Sequence, residues 1–180
     1  NGTFNALGAY HAVVAAEGLP DKIYEANDTD EELKLATDSL FLGPPASVTV
    51  QAEDGTGDGS TMARGNAEGL RTVWLHAGGS RVMAFRLPTT AGASVVARYS
   101  NDNYGGTEQI DVTIDSTAVG TFEAEDTGDY GQGWNVFAQS PTLGPAQLGP
   151  GEHTVTVTAR QGTGDGYGVE IDSVTLEFTD

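Results

Sequence analysis

Val48-Thr49-Val50-Gln51-Ala52-Glu53-Asp54 and, near the C-terminus, Val169-Glu170-Ile171-Asp172-Ser173-Val174-Thr175-Leu176-Glu177 are written in the same way. Both alternate with the period of two that marks a β-strand. Both also carry acids or amides inside an otherwise apolar or β-branched run. A carboxylate taken out of water without a partner is costly. From Ala46 onward the chain contains no lysine, so few cations are at hand to pair with these acids. A bound calcium ion is the economical solution, because it accepts oxygen ligands without strict angles.

Outward from these two strands the same grammar continues. Short alternating runs at 48–53, 71–75, 81–87, 93–99, 109–115, 117–122, 134–139, 153–160 and 168–178 are separated by Gly, Asp and Pro turns. This spacing predicts an all-β sandwich. The glycine-rich runs at 54–59 and 162–166 read as turns near the ends of the sandwich. Residues 1–42 differ. Thr3 caps a predicted helix to about Glu17, and Thr29-Asp30-Glu31-Glu32 opens a second one as a capping box. Gly43-Pro44-Pro45 is the joint. The expected organisation is therefore a short helical extension and linker over 1–45, read as the tail of a preceding domain, and a β-sandwich over 46–180.

Composition removes several classes of function. The 26 acids outnumber the 8 bases, for a net charge of −18. No basic face exists to displace counterions from nucleic acid or to meet an anionic membrane. There is no Cys for disulfides or thiol chemistry, and no stretch long and apolar enough for a membrane-spanning helix. The start at Asn1-Gly2 suggests a processed protein or an excised fragment. The three histidines, His11, His76 and His153, have no zinc-type spacing. A Gly-x-Ser-x-Gly element and a P-loop are both missing.

Several pieces of the β region, in order, resemble the carbohydrate-binding modules of families 6, 35 and 36. They are Val50-Gln51-Ala52-Glu53-Asp54; Phe85-Arg86-Leu87-Pro88 followed by Val95-Val96-Ala97-Arg98-Tyr99-Ser100-Asn101; Gly133-Trp134-Asn135; Leu148-Gly149-Pro150-Gly151-Glu152-His153; and Glu170-Ile171-Asp172-Ser173-Val174. The resemblance covers about three quarters of the chain. It implies a jelly-roll β-sandwich of the kind appended to polysaccharide-active enzymes. It also implies a structural calcium held by Gln51, Glu53 and Asp172. Gln51 and Glu53 share one face of a strand, where a single ion could bridge them. Gln51 stands where the family more often has Glu.

The resemblance further implies a ligand cleft built by loops at one end, here about 76–80, 100–107, 126–134 and 162–170. Trp134, Tyr104, Tyr130 and Tyr167 offer flat apolar faces for a sugar ring, while Asn101, Asn103 and Glu170 offer hydroxyl partners. Trp134 starts a predicted strand and fits a core position equally well. Glu170 replaces an Asn common in related modules. With Asp102 and Asp165 it suggests a second calcium in the cleft.

The leading expectation is a secreted, non-catalytic module that binds polysaccharide or oligosaccharide and targets a catalytic domain in the same parent chain. The alternative is a structural or docking β-sandwich that packs on a catalytic domain and binds no sugar. A third reading, a glycosidase, needs two carboxylates at a defined separation across a cleft, and sequence alone does not establish that separation.

Overall fold

A computed structural model describes residues 44–128 and 133–179, within the second of two compact units of the chain. The expected helices of residues 1–45 lie almost wholly outside the described residues.

Twelve strands form among the described residues: β1 (Ser47–Gln51), β2 (Thr56–Gly57), β3 (Ser60–Ala63), β4 (Arg71–Leu75), β5 (Ser80–Leu87), β6 (Ala91–Ser100), β7 (Glu108–Ile114), β8 (Thr117–Ala124), β9 (Ala138–Gln139), β10 (Leu143–Leu148), β11 (Gly151–Ala159) and β12 (Val169–Thr179). They build two antiparallel sheets. The first runs β10-β6-β12-β4-β3, with β1 added to β12 and β9 to β6; the second runs β2-β5-β11-β7-β8. This is the expected all-β jelly-roll sandwich.

The period of two decides which side chains meet between the sheets. Val73 and Leu75 on β4, Ala93, Val95, Ala97 and Tyr99 on β6, and Ile110, Val112 and Ile114 on β7 are all buried. Val155 and Val157 on β11 join them, as do Val174 and Leu176 on β12. Burying these aliphatic faces on both sheets is the main favourable contribution to the fold.

Where the sequence reading departed from the structure, the cause is local. β2 falls in the glycine-rich run 54–59 that reads as a turn, yet Thr56 and Gly57 pair with Val82 and Arg81; β3 is a strand outside the predicted runs. β10 contains Gly144-Pro145, which argues against a central strand. It lies at a sheet edge, with a register shift between Leu143 and Ala146 that absorbs the proline. The run 134–139 is not one strand: a 3-10 turn at Gly133–Asn135 precedes the two-residue β9.

β12 positions the functional residues. Along one edge it pairs with β1 over Ser173–Glu177 and with β4 over Val169–Ile171. Its other edge pairs with β6, with a register shift between Ile171 and Ser173. The extra residue there is Asp172. This bulge changes the phase of the strand, so Ile171 before it and Val174 and Leu176 after it all reach the same core.

Candidate ligand pocket and cation site

The outward side of β4 carries Thr72 and Trp74, in alternation with core residues Val73 and Leu75. Glu170 pairs with Trp74 across the strands and so faces the same way. Two loops cover this face. The 64–70 loop returns from β3, and the segment around Trp134 crosses from the other side. They are clasped by Asn66, whose backbone N–H donates to Asn135 Oδ1 at 3.0 Å and whose side-chain amide donates to Asn135 O at 2.9 Å. Arg98 holds the clasp from β6: it donates to Asn66 O at 3.1 Å and lies 4.3 Å from the centroid of the Phe137 ring.

Between these loops is a cavity of about 240 Å³ lined by Met62, Arg64, Trp74, Trp134, Tyr167 and Glu170. Its wall is almost wholly apolar. Trp74 and Trp134 meet edge to face, with centroids 5.9 Å apart at 64°. Trp74 Nε1 donates to Tyr167 O at 2.8 Å, which fixes the 162–168 loop at the rim. Both tryptophans of the chain are therefore in one pocket.

Glu170 lies at the base of this pocket and is only 1% exposed. Arg64 Nε donates to its Oε2 at 2.8 Å and Oε1 at 3.1 Å, Arg64 Nη2 donates to Oε1, and Thr72 Oγ1 donates to Oε2 at 2.6 Å. The hydrogen bonding of Arg64 to Glu170 is the main reason the Arg64 pKa is raised, against the opposing effect of burial.

The expected site thus divides. Trp134, Tyr167 and Glu170 come together, and Trp74, Met62 and Arg64, which the sequence reading missed, complete the pocket. Trp74 had a signal, since it falls in phase with the polar Thr72 on an otherwise core strand. Arg64 had none, because its partner is 106 residues away.

The other expected residues lie elsewhere. Tyr104 is 64% exposed, and its backbone N–H donates to Asp165 Oδ2 at 2.6 Å. Asp165 Oδ1 accepts from Tyr167 N at 2.8 Å. Asn101 is a correction: it is buried, and its amide donates to Glu108 Oε2 at 2.8 Å and Ala124 O at 2.6 Å. Asn103 turns inward too, its amide nitrogen donating to Gly106 O at 2.7 Å and Glu108 Oε2 at 3.0 Å. Both asparagines are spent on stabilising a carboxylate whose burial raises its pKa, despite the hydrogen bond from Asn101 that lowers it. Tyr130 lies outside the described residues.

Two of the three residues expected to hold a second calcium, Asp102, Asp165 and Glu170, are engaged in other contacts. The Glu170 carboxylate is already saturated by Arg64 and Thr72, and Asp165 is engaged by two backbone N–H groups. Among the described residues, no three His, Cys, Asp or Glu side chains gather as a metal-binding group.

Gln51, Glu53 and Asp172 make a different arrangement, of one amide and two carboxylates. Gln51 Oε1, Glu53 Oε2 and Asp172 Oδ1 are buried without a hydrogen-bond partner. Such orphaned acceptors are costly. The three residues are tied to one place. Ala52 N donates to Asp172 O at 2.9 Å, Glu68 N to Asp172 Oδ2 at 3.2 Å, and Gln51 Nε2 to Glu68 Oε2 at 3.3 Å. A Cβ built on Gly69 would sit 2.6 Å from Glu53 Oε1 and 3.8 Å from Gln51 Oε1. Gly69 has φ +64, so its backbone suits glycine and its missing side chain leaves room beside these oxygens. Asp172 Oδ2 is ion-paired with Arg98, which leaves Oδ1 free to face a cation. The donor set suits a hard, oxygen-seeking ion.

Comparison with solved structures places this fold. A family 35 carbohydrate-binding module from Clostridium thermocellum superposes with a TM-score of 0.59 at 19% identity, covering 73% of this chain and 98% of that one. The CBM36-1 domain of a multidomain xylanase from the hindgut metagenome of Trinervitermes trinervoides gives 0.53 at 18% identity, covering 74% and 98%. The catalytic domain of a GH87 alpha-1,3-glucanase, in complex with nigerose, gives 0.55 at 17% identity, covering 75% of this chain but only 28% of that one. No protein-family profile matches the sequence, and no curated protein is similar enough to count as a relative.

Proposed function

With the jelly-roll fold of family 35 and 36 carbohydrate-binding modules as the premise, we propose that this β-sandwich is a non-catalytic carbohydrate-binding module. The observation that carries the reading is the convergence of Trp74, Trp134 and Tyr167 on one concave pocket. Aromatic faces meet the C–H side of a pyranose, and a few polar groups fix its orientation. At about 240 Å³, the pocket is smaller than the 300–1,000 Å³ or so of drug-sized sites and suits a single sugar residue. Tyr104 and Tyr167, both exposed, extend the apolar surface beyond the rim.

Gln51, Glu53 and Asp172 hold a calcium ion in this reading. The ion supplies charge compensation for oxygens that otherwise have no partner. Its role is structural, fastening β1 and the 64–70 loop to β12. The module anchors an attached glycan-active enzyme on its polysaccharide outside the cell. A glycan array probed with and without EDTA tests the proposal, with Trp134→Ala as the pocket control. Binding to no glycan, while calcium still raises the melting temperature, would instead favour a structural or docking sandwich.

A further inference from the structure

We propose that Arg64 is the residue that reads ligand hydroxyls in this pocket, and that Glu170 cancels its charge so that neutral sugars are taken and uronates refused. The inference rests on the carbohydrate reading above and specifies its ligand class.

The polar groups of the pocket decide the matter. Met62, Trp74, Trp134 and Tyr167 present apolar faces, and Trp74 Nε1 is already committed to Tyr167 O. Only Arg64 and Glu170 carry charge in the lining. Glu170 is closed to a ligand, since it is 1% exposed and both its oxygens accept hydrogen bonds from Arg64, with Thr72 adding another to Oε2. Arg64 is open, with 24% of its side chain exposed. A guanidinium has five N–H donors in a fixed fork. Arg64 uses Nε and Nη2 on Glu170, and Nη1 has no partner among the described residues. Glu170 is thus a positioning residue: it holds the Nε and Nη2 side of the fork in one orientation and leaves Nη1 unused on a side chain that lines the pocket.

Donors alone would accept either a hydroxyl oxygen or a carboxylate. The charge balance separates the two. The Arg64–Glu170 pair is neutral as a unit, and no other cation lines the pocket. Asp165, which fixes Tyr167 at the rim, adds negative charge nearby. A uronate would meet these acids with no net positive charge to receive it, whereas a neutral hydroxyl gains a charge-assisted hydrogen bond.

The test is calorimetric titration with oligosaccharides of glucose, galactose, mannose and xylose, and with glucuronate and galacturonate. The proteins are the wild type, Glu170→Gln, the double variant Arg64→Gln/Glu170→Gln, and Trp134→Ala. The wild type is expected to bind a neutral member and no uronate. Glu170→Gln frees the Arg64 charge and is expected to gain uronate binding that weakens with added salt. The double variant leaves no unpaired buried charge, so it should fold, and its neutral-sugar affinity should fall about ten- to a hundredfold. If Trp134→Ala abolishes binding while the double variant binds as the wild type does, the carbohydrate reading stands and the role of Arg64 is overturned. Wild-type preference for uronates also overturns it. If no sugar in the panel binds the wild type, the carbohydrate reading and this inference fall together.

Discussion

Glu170 and Asp172 lie two residues apart on β12, yet each is paired with an arginine from a different part of the fold: Glu170 with Arg64, Asp172 with Arg98. The bulge at Asp172 separates them. Glu170 closes the base of the aromatic pocket, whereas Asp172 reaches β1 and the 64–70 loop. Two acids that look equivalent in the sequence therefore belong to two sites, and the 64–70 loop is fastened to both.

Removing either tryptophan should weaken sugar binding sharply. Trp74→Ala and Trp134→Ala are each expected to cost about 2 kcal/mol or more of binding free energy, as central aromatic anchors do. Trp134 is half-buried on a loop, so its replacement should leave the unfolding midpoint nearly unchanged. Titration calorimetry and urea unfolding on the same samples check both parts.

Calcium should raise stability. An ion that binds only the folded state at about 100 times its Kd adds about 2.7 kcal/mol, roughly 10 °C in Tm for a domain of this size. Glu53→Gln is the cleaner variant, because Asp172→Asn would also disturb Arg98. Scanning calorimetry with calcium and with EDTA should show the difference in the wild type and its loss in Glu53→Gln. An equal Tm with and without calcium in the wild type would refute the cation site.

Arg64→Gln alone should be strongly destabilising. It leaves the Glu170 carboxylate buried with Thr72 as its remaining side-chain partner, a change of about 3–5 kcal/mol in comparable buried pairs. Converting Glu170 to Gln as well should restore most of the loss. Urea unfolding of the single and double variants measures the coupling.

Stability should also respond to pH through His153. Burial of the ring opposes its protonation, but hydrogen bonds to Asp115 and the Gly149 carbonyl, with the negative charge of Asp115 and Glu152, raise its pKa above the ordinary 6.5. Asp115 is opposed by its own burial but is lowered below 3.8, chiefly by His153. His153 Nδ1 stands 2.6 Å from Asp115 Oδ2, and Nε2 stands 2.8 Å from Gly149 O, so both ring nitrogens face acceptors. A raised histidine pKa contributes stability that is complete below 6.5 and lost as pH rises through the folded-state value. A lowered aspartate pKa contributes stability that is complete above 3.8 and lost as pH falls through the folded-state value. The pair is therefore worth most between about pH 4 and 6. Tm measured against pH should fall above this window in the wild type and be flatter in His153→Gln.

The sandwich was legible because its signals are local. Alternation marked 48–53 and 168–178 as strands, which form at Ser47–Gln51 and Val169–Thr179, and turn residues bounded most of the others. The proposed cation site was half legible: the expected strand 48–53 named Gln51 and Glu53 together, but β1 ends at Gln51 and a turn, not strand phase, carries Glu53. Asn101 and Asn103 misled for a related reason. They are polar and loop-borne like ligand residues, but Glu108 turns them inward.

What the sequence determined by itself was the all-β class, the acidic surface without a basic face, and the presence of acids just after its first strand and within its last. Tertiary structure decided the rest: that β1 and β4 share one edge of β12, that a bulge places Glu170 and Asp172 in separate sites, and that Arg64 reaches across the fold to neutralise Glu170. Period and turn chemistry act over a few residues and are written in local order. Which buried charge finds which partner depends on strand order and register, and these are settled only when distant segments pack together.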